Sequence, residues 1–209
     1  MRWLAPLWRR PRGGPNATIL QRHFVAIDLE TTGLDARRDA IVAAAVVPFI
    51  DAAPAEGVVT LVNPGRPIPA GASAIHGITD PMVAAAPSVD TVLPALSAAW
   101  GDAVLVGHGV AFDLAVLSRE RRALGLAPIT NVALDTMLLA AALNRQWEDI
   151  GLDAVAGRLG VQVVGRHTAR GDAVAAGQIL LALLPAIANR GLRTVMEMVW
   201  LQETARGDR

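Results

Sequence analysis

The stretch that decides the fold is Phe24-Val-Ala-Ile-Asp28-Leu-Glu30-Thr-Thr-Gly33-Leu34. Its first half is an apolar run without polar alternation, which is typical of a strand buried on both faces. Side chains alternate along a strand, so Asp28 and Glu30 point the same way at its end. Two adjacent buried acids repel each other and need a shared proton or a bound cation, and carboxylate oxygens suit Mg²⁺ or Mn²⁺. An isolated pair of acids more often caps a turn or faces solvent, so the rest of the chain has to decide.

Length and composition predict one domain with a core of ordinary size. A chain of 209 residues fits a single domain with short appendages. It has no cysteine, which excludes disulfides, thiolate metal sites and a cysteine nucleophile. Its 19 acidic and 19 basic residues balance, so the composition does not indicate a strong field for gripping duplex DNA.

Two segments bear on location. The longest apolar stretch, residues 40–50, is too short for a membrane span and contains Pro48. The segment 1–15 is basic, and its apolar patch is shorter than that of a secretory signal. We therefore expect a cytoplasmic protein without a membrane partner. We expect residues 1–22 to form a basic, flexible tail; such tails are usually solvated, and contact with nucleic acid stays open.

The order of the expected elements predicts a mixed α/β fold. Three strands come first and suit an antiparallel meander, and a loop rich in proline and glycine follows them. Strands then alternate with helices, which completes a mixed five-stranded sheet flanked by helices. The expected strands are 24–28, 41–50, 58–62, 103–106 and 132–135, and the expected helices are 88–100, 112–124, 136–143, 151–159, 171–188 and 192–204.

Two further acidic residues lie at positions where open α/β sheets form their ligand-binding sites. Asp113 follows a strand and a glycine-flanked loop, at the carboxyl edge of the expected sheet. Taken singly, it could equally stabilise a helix dipole. Asp172 falls in the first turn of the long apolar helix, where it could complete a cation site with Asp28 and Glu30. His167 lies in the loop before that helix, and a single loop histidine is weak evidence for catalysis.

Together these segments resemble the DnaQ-like 3′–5′ exonucleases of the DEDDh branch. The three motifs of that family are similar to Asp28-Leu-Glu30-Thr-Thr-Gly33, Gly107-His-Gly-Val-Ala-Phe-Asp113 and His167-Thr-Ala-Arg-Gly-Asp172. The segment between the first two motifs is similar to Asn63-Pro64 and Ile75-His76-Gly77-Ile78-Thr79. The resemblance covers residues 23–190 in the family's order. The sister branch uses tyrosine in place of the histidine and is excluded, because the chain has no tyrosine. One departure is Gly109, where the family commonly has asparagine.

The resemblance implies a ribonuclease H-like fold and a metal-dependent 3′–5′ exonuclease, which releases nucleoside 5′-monophosphates from the 3′ end of single-stranded DNA. It implies two divalent cations, Mg²⁺ or Mn²⁺, held by Asp28, Glu30, Asp113 and Asp172, with Asp113 acting mainly through water. It also implies that His167 takes the proton from the attacking water, a task suited to an imidazole pKa of about 6.5. The implied nucleotide pocket consists of Thr31, Thr32 and Gly33, with His76, His108 and Phe112 as weaker members. Phe112 could equally belong to the core.

Three other functions fit parts of the pattern. A 3′–5′ exoribonuclease of the same superfamily would carry the same motifs, and nothing in the sequence reads a 2′-hydroxyl. A non-catalytic nucleic-acid-binding module on this fold would not need all five motif residues. A phosphatase with Asp28 as nucleophile is set aside, because position 30 is glutamate and the chain lacks the lysine that such an enzyme needs.

The expected organisation is an exonuclease domain over residues 23–190, followed by a C-terminal helix and tail over 191–209. The expected partners are the 3′ ends of single-stranded DNA or RNA, and a DNA polymerase if the domain proofreads. Because only a short stretch follows the long helix, we expect no substantial polymerase-binding extension. Proofreading, repair and stand-alone trimming stay open.

Overall fold

The computed structural model describes residues 23–144 and 148–207, and the expected basic tail, residues 1–22, lies outside this part of the chain. Within it, six strands form one sheet that is flanked by helices. The strands are β1 (Phe24–Thr31), β2 (Ile41–Ile50), β3 (Ala53–Pro54), β4 (Val58–Leu61), β5 (Val104–Gly107) and β6 (Ala133–Asp135). The helices are α1 (Ala70–His76), α2 (Asp80–Val83), α3 (Val89–Trp100), α4 (Ala111–Ala123), α5 (Thr136–Asn144), α6 (Leu152–Leu159), α7 (Ala169–Asn189) and α8 (Val195–Gly207).

The sheet is mixed, as the sequence predicts. The strand order is β3-β2-β1-β5-β6, and β4 also pairs with β2. β2 runs antiparallel to β1, β3 and β4, whereas β5 runs parallel to β1 and β6. The predicted arrangement, antiparallel strands first and parallel strands after them, is confirmed. The two-residue strand β3 adds a sixth strand to the expected five.

The two faces of the sheet bury separate cores, because successive residues of β1 point to opposite sides. The odd-numbered residues 25–29 of β1 pack with α3 and α4. Phe24 and Ala26 pack with α5, α6, α7 and α8. Asp28 and Glu30 continue the series of Phe24 and Ala26, so both carboxylates lie on the face that α7 covers.

Helix α7 lies across β1, β2 and β5. Small buried residues, Ala173, Ala175, Ala176 and Gly177, let it approach the sheet closely. A Cβ at Gly177 would lie 2.2 Å from the ring of Phe49. Among the described helices, α7 is long and apolar enough to cross a membrane, but 56% of its most apolar window is buried inside the domain. Its contacts with three strands identify it as a core helix.

The segment between β4 and α3 is not the expected loop, because it forms the short helices α1 and α2. Pro69 immediately precedes α1, and Gly77 ends it in the left-handed conformation with φ 72°. Asp80 begins α2, and its carboxylate accepts a hydrogen bond from the Ile68 amide at 2.8 Å. The proline and glycine content indicated a loop, but Pro69 and Gly77 stand at helix ends, where such residues start or stop a helix rather than prevent it.

The other expected elements are present, and their ends agree within three residues. β1 runs on to Thr31, with a change of register between Glu30 and Thr31, so Glu30, which lay beyond the expected strand 24–28, is part of it together with Asp28. Helix α8, which was expected beyond the 23–190 unit, packs on α5 and β6. Its buried Gln202 accepts a hydrogen bond from the Asp135 amide at 2.9 Å and donates one to the Ala133 carbonyl at 3.0 Å.

The contact of Gly177 with Phe49 gives a test of the packing on this face. Gly177→Ala should destabilise the protein by about 1–3 kcal/mol, because the added methyl group must displace the Phe49 ring, which is itself stacked on Phe24 at 4.9 Å. The control is Gly157→Ala in α6, where a Cβ would meet nothing within 4 Å. Because alanine has a higher helix propensity than glycine and meets no steric conflict there, the free energy of unfolding should rise by about 0.5–1 kcal/mol. Urea denaturation measures both, and equal shifts in the two variants would contradict the packing.

Candidate active site

Three carboxylates from two elements meet beside the carboxyl half of β1. Asp28 and Glu30 come from β1, Asp172 comes from the first turn of α7, and their ligand oxygens lie within 4.8 Å of one another. Across the sheet, Asp28 pairs with Ala45 and Glu30 with Ala43, so the neighbouring side chains on β2 are small. These three residues are called the three-carboxylate group below.

The start of α7 is built to bring Asp172 to the strand. Thr168 caps the helix, and its hydroxyl accepts a hydrogen bond from the Gly171 amide at 3.1 Å. The preceding loop folds tightly over this turn, because a Cβ at Gly171 would lie 2.0 Å from the carbonyl oxygen of Gly165. Only glycine permits this approach, which fixes the first turn of α7 and the position of Asp172.

Asp113 supplies a fourth carboxylate to the same region. It is the third residue of α4 and is buried. Its Oδ1 accepts a hydrogen bond from the Leu29 amide at 3.0 Å, which ties the start of α4 to β1 between the two acids of that strand. Asp113 is not part of the three-carboxylate group, but it lies near enough to Asp28 to raise the pKa of that residue.

Burial raises the pKa of all four carboxyl groups, and repulsion from neighbouring carboxylates adds to this for Asp28, Glu30 and Asp113. For Asp28, burial has the largest effect on the pKa, and repulsion from the other three carboxylates adds to it. Burial, assisted by the charge of Asp172, raises the pKa of Glu30 to about 7. Burial also raises the pKa of Asp113 to about 7 and raises the pKa of Asp172, which the positive charge of Arg166 opposes. These four carboxyl groups, called the acidic centre below, therefore take up either protons or a cation readily at neutral pH.

The chemistry of these donors fits a divalent cation. Every donor of the three-carboxylate group is an oxygen, the ligand type that Mg²⁺ and Mn²⁺ prefer. A positive ion would also offset the repulsion that raises the pKa values. Asp28, Glu30 and Asp172 can therefore hold a divalent cation directly, and Asp113 lies beside Asp28 to complete the acidic centre.

His167 lies at the rim of this centre. Its backbone adopts the left-handed conformation with φ 59°, and its amide donates a hydrogen bond to Oδ1 of Asp172 at 3.3 Å. The residue is exposed, and its Nδ1 lies 3.2 Å from a guanidinium nitrogen of Arg166. His167 is thus attached to the centre through its backbone, while its imidazole is open to solvent.

Arg166 is a charged member of the centre that was not apparent from the sequence. Its guanidinium donates to Oδ2 of Asp172 and to both carboxylate oxygens of Asp153, the latter at 3.0 and 2.9 Å. The only sign of this role in the sequence is that Arg166 directly precedes His167 of the third motif. Its partner Asp153 lies 13 positions away in α6, whereas Arg166 lies in the loop before α7, so the sequence did not show the pairing.

A cleft of about 480 Å³ opens at the acids. Three of its lining residues are Asp28, Glu30 and Asp113, so two members of the three-carboxylate group face it. Its apolar walls include two exposed side chains, Leu34 at 88% and Ile75 at 57% exposure. Further apolar lining comes from Pro69, Ala72 and Phe112. An acidic, cation-holding wall with apolar walls around it suits a ligand that combines a phosphate with a flat base.

The turn after β1 forms part of the cleft through Thr31, Thr32 and Gly33. The Thr31 hydroxyl donates to the Gly33 carbonyl at 2.6 Å, and the Thr32 hydroxyl donates to Asp39 at 3.0 Å. Asp39, which was not apparent from the sequence, also accepts a hydrogen bond from the Asp35 amide at 2.8 Å. A Cβ at Gly33 would lie 2.5 Å from the Asp39 carboxylate, so the close approach of Asp39 requires glycine there.

Hydrogen bonds to neighbouring groups fix the loop of the second motif, residues 107–113. His108 donates from Nε2 to the Ile150 carbonyl at 2.8 Å, which leaves Nδ1 to accept from the Thr136 hydroxyl at 2.9 Å. Burial lowers the pKa of His108, in keeping with a neutral ring. The Gly109 amide donates to buried Asp135 at 2.8 Å, and Gly109 has φ 74°. Asparagine also tolerates this conformation, so glycine here preserves the turn.

The two remaining pocket candidates occupy different surroundings. His76 lines the cleft but is buried, and its Nδ1 accepts a hydrogen bond from the Ile78 amide at 3.0 Å. Burial lowers the pKa of His76. Phe112 lines the cleft and also packs on the core beneath α3 and α4, so it serves both as wall and as core.

The fold and the acidic centre define a nuclease of the ribonuclease H-like class, and comparison with known proteins identifies the family. The exonuclease family model RNase T matches residues 25–180. The chain belongs to this family of exonucleases, and the resemblance to DnaQ-like exonucleases is confirmed.

Individual relatives agree with this assignment. The chain is 44% identical to a Rhodobacter capsulatus DNA polymerase III subunit epsilon-like protein over 192 residues, covering 88% of this chain and 27% of the relative. It is 31% identical to a PolC-type DNA polymerase III of Caldanaerobacter subterraneus, covering 88% of this chain and 13% of the relative. The chain thus spans about a quarter or less of the length of these relatives.

Solved structures share the fold. Exonuclease X in complex with 5′ overhanging duplex DNA is 29% identical, with a TM-score of 0.62, covering 86% of this chain and 99% of that one. Escherichia coli Exonuclease I in complex with a dT13 oligonucleotide is 18% identical, with a TM-score of 0.69, covering 80% of this chain and 42% of that one. At this identity the second similarity shows the fold.

The raised pKa values predict how stability depends on pH without metal. Glu30 has a folded-state pKa of about 7, above its value in the unfolded chain, so the folded state binds the extra proton and loses stability as pH rises through that range. Glu30→Gln removes this titration. In EDTA the variant should therefore melt above the wild type at about pH 8, by about 2–4 °C for each kcal/mol recovered, and the difference should shrink at about pH 5. A variant that melts below the wild type at the higher pH would show that Glu30 is not repelled there.

Proposed function

We propose that this domain is a metal-dependent 3′–5′ exonuclease that removes nucleoside 5′-monophosphates from the 3′ end of single-stranded DNA. The observation that carries the proposal is the three-carboxylate group. Its ligand oxygens lie within 4.8 Å of one another, and two of its members, Asp28 and Glu30, line a cleft with apolar walls. A cleft of about 480 Å³ suits a terminal nucleotide rather than a long duplex. The balanced net charge of the chain agrees with a site that grips only a few nucleotides.

The relatives support DNA as the substrate. The structural neighbour at 29% identity, Exonuclease X, is a complex with 5′ overhanging duplex DNA. The Rhodobacter capsulatus relative is described as similar to the epsilon subunit of a DNA polymerase, so a polymerase is a reasonable partner. We place the activity in the cytoplasm, in proofreading, in repair or in stand-alone trimming of DNA.

In this mechanism Asp28, Glu30 and Asp172 would hold divalent cations, which we take to be two Mg²⁺ or Mn²⁺ ions, and Asp113 would contribute to the second. When bound, such cations supply charge stabilisation for an in-line displacement of the last 3′ oxygen by water. Asp113 keeps the start of α4 tied to Leu29 and so fixes the acidic wall. The turn Thr31–Gly33 and the exposed side chains of Leu34 and Ile75 hold the sugar and base of the terminal nucleotide.

His167 is the proposed general base. It is exposed at the rim of the centre, and its backbone bond to Asp172 couples its position to the three-carboxylate group. The imidazole there accepts the proton of the attacking water and returns it to solvent, to which the residue is exposed.

Product analysis tests the reaction and the role of Asp172 together. Single-stranded DNA labelled at the 3′ end should release a labelled mononucleotide at once with Mg²⁺ or Mn²⁺, whereas DNA labelled at the 5′ end should shorten stepwise. Asp172→Asn should reduce the rate to that seen in EDTA, because one carboxylate of the group is lost. Asp51→Asn, the same change in the exposed β2–β3 turn, is the matched control and should keep full activity.

The same assay separates the competing readings. Faster turnover of matched RNA oligomers would make the domain an exoribonuclease. Efficient cutting of circular single strands would indicate an endonuclease. Absence of cleavage on all substrates, with intact folding, would refute the nuclease proposal and leave a binding module.

The role of His167 has its own signature. His167→Ala should lower kcat by about 10²-fold or more, the usual contribution of a general base, and should remove the acidic limb of the pH–rate profile that reports imidazole deprotonation. His23→Ala, at an exposed position before β1, provides the control. If the variant keeps the wild-type acidic limb, another group is the base.

A further inference from the structure

Arg166 joins three functional groups through one guanidinium. Its Nη1 donates to Oδ2 of Asp172 and lies 3.2 Å from Nδ1 of His167. Its Nε lies 3.0 and 2.9 Å from the two carboxylate oxygens of Asp153, in the first turn of α6. One side chain therefore contacts a member of the three-carboxylate group, the proposed base and an acid outside the centre.

The two carboxylates that share Arg166 are in different surroundings. The side chain of Asp172 is 9% exposed, whereas that of Asp153 is 65% exposed. Asp153 sits in a helix that contributes no member of the three-carboxylate group. Arg166 can therefore leave Asp172 and remain paired with Asp153, so its charge is never left without a partner.

We propose that Arg166 is an exchangeable counterion of the active site. In the metal-free protein it neutralises Asp172 and occupies the lone pair of Nδ1 of His167. When a divalent cation binds the three-carboxylate group, the guanidinium withdraws to Asp153, which frees Asp172 and His167 in one movement. The inference rests on the proposed metal-dependent function, and it adds that metal binding and release of the base are the same event.

Two consequences separate this role from that of a simple clamp. A counterion competes with the metal, so removing it should tighten metal binding. A clamp that pins the 160–168 loop to α6 would have the opposite effect, because its loss would loosen the loop that carries His167 and positions Asp172. The sign of the change in metal affinity therefore decides between the two roles.

Calorimetric titration with Mn²⁺, at fixed pH and without nucleic acid, measures that sign. Arg166→Gln should bind Mn²⁺ about 10-fold more tightly than the wild type, which corresponds to about 1.4 kcal/mol. Arg166→Met, which keeps the aliphatic stem, should behave alike and guards against a folding defect specific to one variant. The matched control is Arg170→Gln, which removes the same charge two residues before Asp172, from an exposed residue. Equal tightening in the control, or weaker binding in both Arg166 variants, would overturn the proposal.

Substitution of Asp153 provides a second test, in which the affinity for Mn²⁺ should change in the opposite direction. Asp153→Asn deprives Arg166 of the partner to which it withdraws, so it should weaken Mn²⁺ binding several-fold in the wild-type background. In the Arg166→Gln background the same change should have little effect, because the counterion is gone. An equal loss in both backgrounds would show that Asp153 acts by its charge alone and would contradict the exchange.

Histidine NMR follows the released base directly. Adding diamagnetic Mg²⁺ should shift the Nδ1 resonance of His167 in the wild type, and Arg166→Gln should show the shifted position already without Mg²⁺. No shift in the wild type under saturating Mg²⁺ would refute the coupling. These readouts do not use catalysis. A protein that binds Mn²⁺ as described but cleaves nothing would refute the nuclease and leave the counterion, whereas a wild type that binds no Mn²⁺ would refute both the metal centre and the counterion.

Discussion

Repulsion among carboxylates at β1 is the constraint on which the rest of the site depends. Asp28 and Glu30 share one face of a strand, and Asp113 and Asp172 approach that strand from two helices. All four carboxyl groups have raised pKa values, which reflect the free-energy cost of ionising acids in a partly buried site. A fold keeps such an arrangement only where the surrounding structure compensates it and where a cation gives it a use.

The compensation comes from backbone geometry and small residues rather than from opposite charges within the sheet. Alanines pair with the acids across β2, and α7 lies close because its buried face is made of alanine and glycine. Gly171 lets the loop before α7 fold over the helix start. Asp113 is satisfied by the Leu29 amide. Arg166 forms an ion pair with Asp172 at the edge of this arrangement and is shared with Asp153.

The walls of the cleft are held from elements distant in sequence. Gln202 of α8 binds the backbone of β6, and Asp135 at the end of β6 holds the Gly109 amide in the second-motif loop. Helix α8 lies beyond residue 180, where the match to the family model ends, yet through β6 it supports a loop of the candidate active site. The turn after β1 is organised in a similar way by Asp39.

The sequence by itself determined the class of fold, whereas the residues of the acidic centre were expected because three motifs together resemble those of the DnaQ-like exonucleases. An apolar run ending in two acids, glycine-flanked loops and a long apolar helix are local patterns, and local patterns are readable because periodicity and turn chemistry depend on near neighbours. The same logic failed between β4 and α3, where Pro69 and Gly77 bound a helix instead of a loop. Only the tertiary structure showed Arg166 with Asp153, Asp39 with the turn after β1, and Gln202 with β6. Each of these pairs joins different elements, and their contacts arise only when packing brings those elements together.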